Sequence, residues 1–295
     1  MISLAMSWRR KLLNITHKLG GVYAHFLRKE NQKNTNERYV GREHFYHASG
    51  TGMCSRKLYF QSVDKVKPTN LANNASMRKM RIGTLLHEDI QNSLLLYNNI
   101  YNNITNNINN NINDKNITIK NSEEIENLSS VYEVEGEILI KELSVRGFFD
   151  VVQNDGLGVI LYDIKTAADY SFRRVFNTDK PYTMKHQELQ LSTYGYGVKE
   201  KYGRLDGMYL LYYNKNTSVM KYKQVPLSML NSAYMFWANI NKQHSVGLPN
   251  FEDGVSPVMK WECDYCEFKD HCSPPTGYGK YSDRNTLKKG ELINE

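Results

Sequence analysis

The sequence predicts an α/β (α+β) domain in which a mixed β-sheet is flanked by helices. Three observations predict it. An apolar stripe at helical spacing is followed by three runs that alternate apolar and polar residues, and then come a helix, two more strand-like runs and a final helix. The 295 residues suffice to bury a sizeable core, and 40% hydrophobic against 23% charged residues is the balance of a globular chain, not a disordered one.

Residues 1–40 read as a basic N-terminal arm, partly helical in pattern, whose polar stretch NQKNTNER (31–38) reads as a linker. The opening MISLAMSWRRKLLNITHKLGG is broken by Trp8, Arg9, Arg10 and Lys11 and lacks the layout of a secretory signal. No stretch approaches the roughly 18 apolar residues of a membrane span, so an intracellular, cytoplasmic protein with no membrane partner is expected. Residues 41–280 read as the folded body and 281–295 as a polar tail.

Within the body, residues 78–97 predict a helix with Ile82, Leu86, Ile90 and Leu94 on one stripe. The Asn/Ile-biased tract 98–121 is too simple to specify a core and reads as a mobile surface insertion. Strands are predicted at 131–140, 143–153 and 159–166, a helix at 183–201, strands at 206–214 and 218–225, and a helix at 227–244.

A net charge of +7 and a pI near 9.0 favour polyanionic partners, a weak signal by itself. The hairpin carries more. SVRGFFDVVQ and VILYDIKTA, folded about Gly156 and Leu157, set Asp150 opposite Asp163, about 5 Å apart across strands. Two like charges so placed are either solvated at an edge or bridged by a cation, and Phe148, Phe149, Ile160 and Ile164 argue against full solvation. Lys165 projects from the same face as Asp163. Oxygen ligands suit Mg²⁺ or Mn²⁺, and a neighbouring ammonium can orient water or steady a phosphate; an ordinary strand with surface charges is the plainer alternative.

His87 lies one position round the helix from the apolar stripe and shares a face with Gly83 and Gln91, as a boundary residue or as a ligand. Gln190 and Tyr194 face the same way on their helix. Arg56, Lys57, Arg173 and Arg174 are candidate phosphate contacts and are equally accounted for as solvated surface.

Cys263, Cys266 and Cys272 form C-x2-C-x5-C, with Cys54 far upstream. In a reducing compartment such thiols are metal ligands before they are disulfides. Their spacing admits zinc or an iron-sulfur cluster, and His271 could replace Cys54 in a zinc site.

Taken in order, Cys54, GTLLHEDIQ with His87, RGFFD with Asp150, DIK with Asp163 and Lys165, Q-x3-Y with Gln190 and Tyr194, and the cysteine trio resemble the RecB-like branch of the PD-(D/E)XK superfamily that carries an iron-sulfur cluster. That branch includes CRISPR-associated exonucleases, the AddB nuclease domain and phage-encoded enzymes. The resemblance spans residues 54–272 and departs from the motif where Phe149 stands in place of proline. It implies a restriction-endonuclease-like fold and a metal-dependent deoxyribonuclease, an exonuclease on single-stranded or frayed DNA ends in recombination, replication, repair or spacer acquisition. It further implies Mg²⁺ or Mn²⁺ on His87, Asp150, Asp163 and the Ile164 carbonyl, with Lys165, Gln190 and Tyr194 completing the catalytic set. Cys54, Cys263, Cys266 and Cys272 would hold a [4Fe-4S] cluster joining the N- and C-terminal segments. Helicase, recombination or integrase proteins would be partners. The alternatives are a non-catalytic DNA-binding or assembly subunit and a zinc-stapled structural protein.

Overall fold

The computed structural model describes residues 19–39, 45–70, 72–112, 131–154, 156–179, 182, 184–250, 262–263 and 265–272. The expected 281–295 tail, residues 1–18 and positions 113–121 of the Asn-rich tract lie outside the described residues. The chain divides into two compact units, Met1–His44 with Leu71–Leu85, and Phe45–Asn70 with Leu86–Glu295. In the first unit, helix α1 (Leu19–Tyr39) buries Ala24 and Leu27, and Arg28 Nη2 donates to Asn74 Oδ1 at 2.9 Å.

Two expectations about loops are corrected here. α1 runs straight through 31–38, because that polar stretch contains no Gly or Pro to stop a helix. Helix α3 (Asn74–Ile112, 39 residues) likewise continues through the first part of the Asn-rich tract. Ile100, Ile104, Ile108 and Ile112 recur every fourth residue there, a helical spacing that outweighs the poor helix propensity of Asn.

The second unit is built on β1 (Tyr46–His47), β2 (Val131–Ile140), β3 (Val145–Asn154), β4 (Val159–Ala167), β5 (Gly207–Asn214) and β6 (Met220–Val225). Its helices, besides α3 from Leu86 onward, are α2 (Ser55–Ser62), α4 (Asp169–Val175), α5 (Lys185–Tyr202), α6 (Met229–His244) and the short α7 (Lys269–Cys272). The five longer strands and the helices α5 and α6 fall where the alternation and helical spacing place them. β1, α2 and α4 are too short for either period to register.

The sheet is mixed, in the order β1-β3-β4-β5-β6, with β2 paired to β3. β1–β3 and β4–β5 are parallel; β2–β3, β3–β4 and β5–β6 are antiparallel. Helices cover both faces. On one, Phe149, Leu161, Leu210 and Tyr212 join Leu191, Tyr194 and Val198 of α5 and Phe236, Trp237 and Ile240 of α6. On the other, Val151, Ile164 and Leu211 meet Ile90 and Leu94 of α3. Each fully buried side chain of this size contributes roughly 1.5–3 kcal/mol. Trp237 locks the first core laterally: its indole N–H lies 3.2 Å from Thr51 Oγ1 and 3.1 Å from Thr193 Oγ1, and its ring stacks on Tyr46 at 5.4 Å.

One break in the ladder matters for function. β2 pairs with one edge of β3 from Val145 to Asn154 except at Asp150. On the other edge β1 takes Val145 and Arg146, and β4 takes Val151 to Asn154, so no described strand pairs with the stretch between. Gly147 lies in that gap, where a Cβ would come 2.6 Å from Ala48 Cβ and 3.0 Å from the Tyr194 ring. Only the missing side chain lets α5 approach so closely.

Candidate active site

The site forms where β3 and β4 part. Their last pair is Val151↔Tyr162, so the next level would be Asp150 opposite Asp163, the pairing that folding the hairpin about Gly156 and Leu157 predicts. There the strands no longer share backbone bonds. The Ile164 N–H donates instead to Asp150 Oδ2 at 2.6 Å, replacing a ladder bond with a carboxylate contact.

The neighbouring candidates arrive from both faces. From α3, His87 Nδ1 lies 3.6 Å from Asp150 Oδ2. From β4, Lys165 Nζ lies 2.6 Å from Asp163 Oδ2. From α5, Gln190 Oε1 accepts from Lys165 Nζ at 3.3 Å, and Gln190 Nε2 lies 3.2 Å from Tyr194 Oη. A connected polar chain thus runs Asp163, Lys165, Gln190, Tyr194.

Electrostatics follow from burial. The Asp150 carboxyl is pushed up to about 8, first by burial and then by Asp163, while Lys165 and the Ile164 amide pull it down. Tyr194 is raised far above the usual phenol range, chiefly by burial, so it keeps its proton at any working pH. His87 is lowered, by burial first and then by Lys165, which leaves a neutral imidazole with a lone pair to give.

A divalent cation suits this donor set. Asp163 is 1% exposed, and its Oδ2 meets the Lys165 charge without an aligned hydrogen bond, so a buried carboxylate keeps lone-pair capacity. Among the described residues, no three His, Cys, Asp or Glu side chains stand close enough to hold a metal ion as they are. Protein donors occupy the acids instead: Ile164 N–H on Asp150 and Lys165 on Asp163.

Three residues beside the site were not singled out from sequence as site residues. Gln91, four residues beyond His87, is buried; its Nε2 donates to Glu135 Oε1 at 2.7 Å and to the Asp150 carbonyl at 3.3 Å. Glu135 faces Asp150 across β2 and β3, between the pairs Val134↔Val151 and Gly136↔Phe149. His186 is held near 4 by burial and then by Lys165, and so stays neutral. The spacing His186, Gln190, Tyr194, one residue every fourth, was the available signal for it.

The four cysteines share the second unit, and among the described residues none is joined in a disulfide. The Cys54 N–H donates to Glu262 Oε1 at 2.8 Å, Asn70 Nδ2 to the Cys266 carbonyl at 3.1 Å, and Phe268 packs on Phe60, which seats the C-terminal segment against α2. The Cys263 thiol is pushed up to about 12, first by burial and then by Cys54, Cys266 and Cys272; among the described residues no three of the cysteines stand close enough to hold a metal centre as they are.

The candidate phosphate contacts separate. Arg56 is buried, donating to the Pro249 carbonyl at 2.5 Å and to Cys272 Sγ at 3.4 Å, and so is placed in the cysteine segment instead of on solvated surface. Lys57 lies 3.8 Å from Glu267. Arg173 is exposed and pairs with Asp169 one turn earlier; Arg174 stacks over Tyr182 at 3.9 Å.

No helix among the described residues is long and apolar enough to cross a membrane. No curated protein matches the chain. A solved structure described as "Crystal structure of SSO0001" is similar over 86% of this chain and 98% of that one, at 18% identity and a TM-score of 0.49. Residues 114–273, more than half of the chain, match the family described as the PD-(D/E)XK nuclease superfamily. The matched span holds Asp150, Asp163, Lys165, Gln190 and Tyr194 and begins after Cys54, His87 and Gln91. With the acids and lysine of its motif meeting where the sheet opens, the chain belongs to the PD-(D/E)XK nuclease superfamily.

Proposed function

We propose that the protein is a metal-dependent deoxyribonuclease that trims single-stranded or frayed DNA ends. The observation that carries the reading is the meeting of Asp150, Asp163 and Lys165 at the point where β3 and β4 separate. Asp150, Asp163, the neutral His87 and the Ile164 carbonyl would hold Mg²⁺ or Mn²⁺. When bound there, such an ion supplies Lewis acidity to the scissile phosphate and to water.

The chain's own residues do the rest. Lys165 presents its ammonium beside Asp163, where it orients the attacking water and steadies charge on the phosphate. Gln190 holds that ammonium from the other side, and the protonated Tyr194 holds Gln190, so Lys165 has little freedom to swing away. Fixed placement is what a slow phosphodiester hydrolysis needs most, since positioning can contribute about 7–11 kcal/mol of the barrier reduction.

Cys54, Cys263, Cys266 and Cys272 would hold a [4Fe-4S] cluster, a covalent tie between segments more than two hundred residues apart in sequence. The contacts of Cys54 N–H with Glu262 and of Asn70 with the Cys266 carbonyl, which bring the segment after Cys54 beside the C-terminal cysteines, support this reading. The place of action is the cytoplasm, beside a helicase, recombination or integrase partner.

The test is anaerobically purified protein incubated with end-labelled single- and double-stranded DNA in Mg²⁺, Mn²⁺ or EDTA. Progressive shortening from an end with either metal and none in EDTA is expected. DNA binding without cleavage under every condition would instead leave a non-catalytic assembly subunit.

A further inference from the structure

Two positions in neighbouring strands break the alternation of a pleated sheet at the same level. In β2, Val134 packs toward α3 while Ile138 and Ile140, of the same parity, lie in the α5–α6 core. In β3, Val151 packs toward α3 while Phe149, two residues earlier, lies in the α5–α6 core. Side chains two apart normally share a face, so each strand turns over between these points. The residues at the turnover are Glu135 and Asp150, the one level between Val131 and Ile140 at which the two strands do not pair, with the same register on either side of it.

Glu135 has φ +51, a left-handed conformation that a glutamate adopts only under strain. Strain of this kind persists where neighbours over-determine it. The neighbour here is Gln91, whose single amide nitrogen donates to Glu135 Oε1 at 2.7 Å and to the Asp150 carbonyl at 3.3 Å. Gln91 therefore ties the side chain of one turnover residue to the backbone of the other. It also lies one helical turn beyond His87, so the same stretch of α3 meets Asp150 twice.

Resting on the reading of Asp150 as a metal ligand, we infer that Gln91 and Glu135 are positioning residues: their hydrogen bond holds the β2–β3 turnover that aims the Asp150 carboxylate into the gap between β3 and β4. Neither touches the reacting phosphate. The link requires an acceptor at position 135 and a donor at position 91, but no charge at position 135.

Mn²⁺ binding measured by calorimetry, with cleavage followed in parallel, tests this. Gln91→Ala should weaken Mn²⁺ binding by about tenfold, the ordinary loss when an outer partner of a metal ligand is removed. Its kcat at saturating Mn²⁺ should stay within about threefold of wild type, because bound metal restores the geometry. Glu135→Gln keeps the acceptor and should bind within about threefold of wild type, and the double variant should be no weaker than Gln91→Ala. Thermal melts show that each variant is folded, and Glu135→Gln serves if Gln91→Ala is not. Wild-type affinity in Gln91→Ala overturns the inference alone, as does a loss in Glu135→Gln equal to that of Glu135→Ala, which would make Glu135 a ligand by its charge. A wild-type protein that neither binds Mn²⁺ nor cuts DNA removes the functional reading and this inference together.

Discussion

The Ile164 amide and the Asp150 carboxylate meet at 2.6 Å one step beyond the last β3–β4 pair. A side chain here does what a neighbouring strand does elsewhere. It gives the β4 backbone a partner where the β3–β4 ladder ends, one level from Asp163. Fold and site thus share one carboxylate, and its two duties pull apart with pH.

Without metal, the Asp150 carboxyl holds its proton up to about 8, against 3.8 for the free group. The folded state therefore binds that proton more tightly than the unfolded chain. This group's contribution to stability grows as pH falls through about 8, is complete below 3.8, and is lost as pH rises. In EDTA, Asp150→Asn keeps an acceptor for Ile164 and should melt above wild type at alkaline pH, the gap narrowing as the medium is acidified. Added Mn²⁺ should reverse the order, stabilising wild type and not the variant. Melting curves across pH with and without metal decide it; an Asn variant that is less stable at every pH would show that burial is not what raises this carboxyl.

Lys165 balances Asp163 at 2.6 Å, so its removal should separate metal binding from turnover. Lys165→Ala leaves two acids less compensated, and Mn²⁺ should bind no more weakly than to wild type. Cleavage should nevertheless fall by about 10²–10³, the usual loss for one preorganised donor at developing charge. Lys165→Arg should not recover it, since a planar guanidinium cannot reproduce a point ammonium held by one Gln190 oxygen. Single-turnover kinetics over a metal titration measures both quantities, and parallel losses in the two would remove Lys165 from the chemical step.

The legible part of this protein is the part with a regular period. The Asp150–Asp163 level follows from folding one hairpin about Gly156 and Leu157, because register propagates rigidly along a ladder. The partnership of Glu135 with Gln91 could not be read the same way. In VYEVEGEILI, Glu133, Glu135 and Glu137 alternate as if all three faced one side, and only the positive φ at Glu135 sets it apart. The helical run through 98–112 was hidden differently: the low complexity of these fifteen residues masked the every-fourth isoleucines, which composition alone cannot distinguish from a loop.

Arg56, a candidate phosphate contact by its charge, has a second role open to it through burial. Its guanidinium is buried on the Pro249 carbonyl and Cys272 sulfur. Arg56→Ala should lower stability by about 1–3 kcal/mol through the unpaired carbonyl and lost packing. The salt dependence of DNA binding should stay as in wild type, because a phosphate contact contributes about one unit to that slope and a buried arginine none. Binding isotherms at several salt concentrations, with melts alongside, check both. A shallower slope in the variant would return Arg56 to the DNA.

The cysteine segment makes the sharpest demand on stability. Burial and the neighbouring thiols press Cys263 toward its protonated form, yet metal ligation requires the thiolate. A bound cationic centre would reverse that preference, and under the proposed cluster the loss of one cysteine should be felt at all four positions. Cys272→Ser should leave a pale preparation with little iron and sulfide. Its melting temperature should drop well below that of wild type, since the tie between Cys54 and the C-terminal trio is gone. The Asp150, Asp163 and Lys165 cluster lies on the sheet, away in sequence from that tie, so cleavage at low temperature should persist in the variant. Iron, sulfide and zinc analysis together with visible spectra settle the centre's identity. A colourless wild type with one equivalent of zinc and no iron would replace the cluster with a structural zinc.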